Sequence, residues 1–168
     1  KGSAVREGVA VCVTDGADGA CGSSVPGQPG SAGTGSSGTP FVADRISPLA
    51  AFTGLRRTYS RRSAPRVLRG KVDDDGGVRT VKLRLTRTTP GGRCFAYSGK
   101  RERFIRRPRC GASSGWWFAI GDRAAFEYQL ASKLGAGRYV LDVNAIDKSY
   151  NRDDVRRPGE NRVVFTVR

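Results

Sequence analysis

Residues 137–151, GRYVLDVNAIDKSYN, decide the fold. Tyr139, Leu141, Val143 and Ala145 alternate with Val140, Asp142 and Asn144, the period of two that marks a half-buried strand. Residues 161–168, NRVVFTVR, repeat the pattern, with Val163, Phe165 and Val167 set against Arg162, Val164 and Thr166. The stretch between them, residues 147–160, is rich in Asp, Asn, Arg and Gly and reads as a polar turn. Two strands cannot bury a face alone, so further strands must supply an opposing sheet.

Those strands lie upstream, from about residue 44. Leu49, Ala51 and Phe52 start one after Pro48, which is tolerated at a strand start. Residues 56–62 read as an arginine-rich polar turn, and residues 67–72 as a strand that ends in the Asp/Gly turn 73–77. Val81, Leu83 and Leu85 then alternate with Lys82, Arg84 and Thr86. A Pro-Gly-Gly turn leads into a strand over 93–98, residues 99–115 read as basic and loop-like, and strands follow near 116–120 and at Phe126, Tyr128 and Leu130. About eight short strands with turn signals between them, and no helical pattern, give an all-β chain folded as an antiparallel β-sandwich over 44–168.

Ahead of that domain, Val9, Val11 and Val13 share one face of a short strand, and TDGADGACG supplies a tight turn. Residues 1–22 are therefore expected to form a β-hairpin, which is marginal in water unless it docks elsewhere. Residues 23–43 are mostly Gly, Ser, Thr and Pro without a charge, a flexible linker spanning roughly 25 Å as a coil.

The four cysteines fall as two local pairs, and short spacing favours Cys12 with Cys21 and Cys94 with Cys110 among the three connectivities. The first bridge would staple the N-terminal hairpin. Neither pair has metal-ligand spacing, and with no His a zinc site would have to be all-Cys. Two disulfides in a loop-rich chain imply an oxidising, extracellular location. No run reaches the ~18 apolar residues of a membrane span, and no signal peptide is recognisable, so no membrane insertion is expected.

Composition narrows the partners. Of 168 residues 38% are hydrophobic and 23 are Gly, which leaves few core-forming positions. The net charge is +15 from 30 basic residues, only 6 of them Lys. Such a balance favours anionic polysaccharide, a charged cell-envelope polymer or, less strongly, nucleic acid. The arginines are spread along the whole length, however, which also fits solvated strand faces.

The succession LRGKVDDDGGVRTVKLRL, GAGRYVLDVNAIDKSYN and GENRVVFTV resembles bacterial immunoglobulin-like domains of secreted actinobacterial proteins. The likeness covers about residues 44–168 and implies an immunoglobulin-like sandwich. It departs at Tyr150, where the family's turn carries Gly. Cys94 and Cys110 match a pair that brackets a variable hairpin in one subgroup, and residues 1–22 look like the end of a preceding β-domain. The resemblance implies a fold and no activity.

Catalytic chemistry has little to work with. The absence of His excludes Ser-His and Cys-His nucleophiles. The paired carboxylates lie in turns, where solvent keeps them ionised, and the glycines lack a phosphate-loop context. Neither an enzyme nor a resident cofactor is expected. Asp73, Asp74, Asp75, Asp147, Asn151 and Asp153 would offer Ca²⁺ oxygen ligands if their turns met, but the spacing matches no EF-hand, and such residues more often cap their own turns. Lys71 or Lys82 with Asn161, and Glu127 as proton shuttle, would be the partners of an intramolecular isopeptide bond.

The densest basic and aromatic cluster is GKRERFIRRPRC, residues 99–110, followed by Trp116 and Trp117. Arg101, Arg103, Arg106, Arg107 and Arg109 with the two tryptophans form a candidate patch for an acidic polymer. The alternative is that Phe104 and one Trp complete the core while the arginines stay solvated. Two functions follow: a non-catalytic structural or adhesive surface module, self-associating into a filament by strand addition through Val9, Val11 and Val13, or a binding module for acidic polymer.

Overall fold

A computed structural model describes residues 44–168. The hairpin expected at 1–22, with Cys12, Cys21, Val9, Val11 and Val13, and the linker 23–43 lie outside the described residues. The chain from Asp44 onward is all-β, with ten strands and one 3₁₀ turn among the described residues.

The strands divide between two sheets. In the smaller, β1 (Leu49–Thr53), β3 (Val67–Asp73) and β8 (Ala125–Gln129) run in the order β1-β3-β8. The larger has the order β2-β10-β9-β4-β5-β6, built from β2 (Thr58–Tyr59), β10 (Arg162–Val167), β9 (Gly137–Asp147), β4 (Val78–Thr88), β5 (Cys94–Ser98) and β6 (Arg103–Arg107). The long β4 shares one edge between two partners: β5 pairs with it at Thr86–Thr88, and β7 (Phe118–Gly121) takes over at Val81–Leu83. Between these strands all pairings are antiparallel except the parallel contact of β2 with β10.

The core lies between the sheets. Val81, Leu83 and Leu85 of β4, Leu141 and Val143 of β9, and Leu68 of β3 are completely buried. Burying such an aliphatic side chain stabilises the fold by about 1.5–3 kcal/mol each. Rings fill the core: Tyr97 of β5 meets Tyr128 of β8 edge-on across the gap at 6.1 Å, and within the larger sheet Tyr139 stacks on Phe165 at 5.0 Å. Gly70 is obligatory in mid-sheet because a Cβ there would sit 2.2 Å from the Phe126 ring and 2.4 Å from the Ala51 carbonyl.

Three local expectations are corrected. β9 is not half-buried: Val140, Asp142, Asn144 and Ile146 on its outer face are buried along with the inner set. Residues 99–115 are not all loop, because β6 zips onto β5 from Cys94–Arg107 to Ser98–Arg103. Within the arginine-rich turn 56–62, Thr58 and Tyr59 form β2, with Tyr59 buried against Phe165 at 5.6 Å. No helix among the described residues is long and apolar enough to cross a membrane.

Candidate binding surface

The outer face of β9 is covered by residues 152–154 over Asn144 and Ile146, and at its Val140–Asp142 end by a loop that follows a disulfide bond. Cys94, at the start of β5, is disulfide-bonded to Cys110, closing a loop with a sequence separation of 16. Residues 111–117 then pass back over the large sheet. Gly115 lies so close that a Cβ would fall 2.7 Å from Thr86 Cγ2 and 2.8 Å from Arg84 Cγ. After this crossing the chain turns inward, and Phe118 packs against Tyr128 at 5.1 Å.

Beneath the loop, three neighbouring strands present a row of charges. Register places Arg84 (β4) opposite Asp142 (β9), and Asp142 opposite Arg162 (β10). The Asp142 carboxylate is fully buried; Arg84 Nε and Nη2 donate to its Oδ2 at 2.9 and 2.8 Å, and Arg162 Nε donates to Oδ1 at 2.6 Å. The Asp142 hydrogen bond is the main cause that raises the Arg162 pKa, against the opposing effect of burial. These two arginines are thus committed to structure.

Trp117 rests on this row, with the Arg84 guanidinium 4.5 Å and that of Arg156 5.2 Å from its ring centre. Trp116 is 39% exposed and has Arg107 of β6 over its ring at 4.4 Å. The Arg107 Nε is shut off from solvent without an acceptor, and the same holds for Arg156 Nη1. A shallow groove beside the cystine is lined by Arg93, Cys94, Arg106, Arg107 and Pro108 together with Gly91 and Gly92.

The expected patch is therefore divided. Arg107 joins Trp116, whereas Trp117 takes its cations from β4 and from residue 156, far apart in sequence. Alternation on β6 separates Arg106 from Arg107, since Phe104 and Arg106 share the face on which Phe104 meets Tyr97 at 5.3 Å. Arg101, Arg103 and Arg109 are exposed on the hairpin and its exit. Arg93, Arg84 and Arg156 escaped the sequence reading, although the place of Arg93 beside Cys94 was a usable signal.

The acidic candidates also separate. Asp153 is 2% exposed and is consumed by structure: Arg157 donates to both its oxygens, at 2.9 and 2.8 Å, Asn161 Nδ2 donates to Oδ1, and the Ala50 amide of β1 donates to Oδ2. It pins the β9–β10 connection to the small sheet. Asp147 accepts the Asn151 backbone and side-chain N–H groups at 2.8 Å each. Asp73 ends β3 exposed, and Asp75 lies in the turn that follows. For an isopeptide bond the placement is poor. Asn161 is buried, with its amide bound to Asp153, Val155 and the Arg157 N–H, while Lys71 is exposed and Glu127 pairs with Arg69.

No protein-family model and no curated protein sequence matches this chain.

Proposed function

We propose that residues 44–168 form an immunoglobulin-like sandwich of a secreted or cell-surface protein, and that the module is adhesive and non-catalytic, binding an anionic polysaccharide through the cystine-bound groove. The sandwich reading is supported by the sheet orders, β1-β3-β8 facing β2-β10-β9-β4-β5, which follow the two-sheet partition of that fold. An extracellular setting is supported by the cystine.

The binding reading rests on Arg107. Its guanidinium carbon lies 4.4 Å from the Trp116 ring centre and the group forms no ion pair among the described residues, while Arg84 and Arg162 are spent on Asp142. A guanidinium already packed against a ring loses less entropy when it meets a carboxylate or sulfate, and Arg93 lines the same groove. Strand addition through the N-terminal hairpin remains the second route to an adhesive role, and it concerns residues outside those described.

The test is retention on an immobilised uronate or sulfated polysaccharide across a salt series. Wild-type affinity falls steeply with salt, and Arg107→Ala weakens binding and lowers the log–log salt slope by about 1. Binding that ignores both salt and Arg107 would overturn the assignment, and tighter retention on duplex DNA would shift the partner class to nucleic acid.

A further inference from the structure

Asp44, just ahead of β1, meets the β3–β4 turn. Asp44, Asp74 and Asp75 each bring a carboxylate oxygen within 4.8 Å of the other two. Asp147, at the end of β9, is fully buried. Asn151, which binds Asp147, also donates to the Asp44 main-chain oxygen at 3.0 Å, so the segments are locked together.

Clustered carboxylates are common at turns and prove nothing. The state of their oxygens is a separate observation. Both carboxylate oxygens of Asp74 and Oδ2 of Asp44 are closed to solvent and accept no hydrogen bond. The chain has 30 basic residues, yet none among the described residues forms an ion pair with Asp44, Asp74, Asp75 or Asp147. Even Lys148, whose side chain lies against Gly77, makes no such pair. Buried anionic oxygens without donors are stable when they are paired or hold a metal.

We propose that Asp44, Asp74 and Asp75 bind a calcium ion that ties the entry of β1 to the β3–β4 turn. The donor set is entirely oxygen and carboxylate, the chemistry of a hard cation. Turn-borne ligands suit the adaptable 6–8-fold shell of Ca²⁺ better than the strict octahedron of Mg²⁺, with water and main-chain carbonyls completing it. Gly76 keeps the approach open, because a Cβ there would stand 2.5 Å from Asp44 Oδ2. This site is independent of the arginine groove.

The experiment is calorimetric titration of the full, disulfide-intact, chelator-stripped chain with CaCl₂, alongside thermal melts in EDTA and in Ca²⁺. Saturable binding is expected with Kd on the order of 10⁻⁴–10⁻³ M, as in extracellular calcium modules. Asp74→Asn and Asp75→Asn each weaken it by about tenfold or more, through loss of ligand charge. Asp74→Asn also melts higher than wild type in EDTA, since it deletes an unpaired buried charge, and it loses the rise with Ca²⁺. The absence of saturable heat with melts unmoved by Ca²⁺, or binding that both variants retain, would overturn the site.

Discussion

Two side chains carry most of what can be tested at the scale of the residue. Asp142 holds Arg84 and Arg162 from the middle of β9. Asp142→Ala would leave both cations facing a buried face, and the expected loss is about 3 kcal/mol, read as a lower denaturant midpoint at unchanged slope. Tyr139 answers to pH. Burial raises its pKa from 10.0 to about 12, with Arg87 opposing, and its hydroxyl donates to the Gly135 carbonyl at 2.7 Å. Below pH 10 the phenol is protonated in both states, and this contribution is fully present. Between pH 10 and 12 the unfolded chain gives up its proton while the folded chain keeps it, so stability falls as pH rises. Denaturant midpoints over that interval should decline less steeply in Tyr139→Phe than in wild type. Tyr150 shows a residue behaving against its type: it takes φ 69°, a left-handed conformation that favours glycine, with Arg79 over its ring at 4.3 Å.

Among the elements, the loop over β9 is the one whose removal should be most informative. In the chain-entropy account, closing about 15 residues contributes roughly 3 kcal/mol, so Cys94→Ser with Cys110→Ser should cost about that much. The same change should expose Trp116 and Trp117, visible as a red-shifted fluorescence, while the β4–β9 centre keeps its far-ultraviolet signal. Legibility divides along the same line. β4, β9 and β10 were readable because alternation is local, and Val81, Leu83 and Leu85 announce their own face. β2 was hidden because a two-residue parallel strand leaves no period to detect. β6 was hidden because arginines mask its alternation. The double burial of β9 comes from segments outside it, the 111–117 loop at its Val140–Asp142 end and residues 152–154 over Asn144 and Ile146, which no window within β9 contains. The arginine groove was half legible: the basic run is plain in sequence, whereas the claims of Asp142 on Arg84 and of Trp117 on Arg156 exist only after folding.

For the molecule as a whole, charge is the dominant quantity. Residues 1–43 hold only Lys1 and Arg6 among the basic residues, so nearly all the positive charge belongs to residues 44–168. Self-repulsion of that size destabilises the compact state and is screened by salt. Raising ionic strength from about 10 mM to about 150 mM, where the Debye length shrinks from about 30 to about 8 Å, should raise the melting temperature while it weakens polysaccharide retention. Opposite responses of stability and binding would separate the structural charges from the groove. The parallel pairing of β2 with β10 has a mechanical consequence. Thr166 N–H to Arg57 at 2.9 Å, Arg168 N–H to Tyr59 at 2.9 Å and Arg61 N–H to Arg168 at 3.1 Å lie side by side along the last strand. A pull on Arg168 away from the body of the domain loads these three bonds together in shear, whereas an antiparallel hairpin pulled at its open ends would peel one bond at a time. The domain's grip at its final residue therefore depends on the direction of tension.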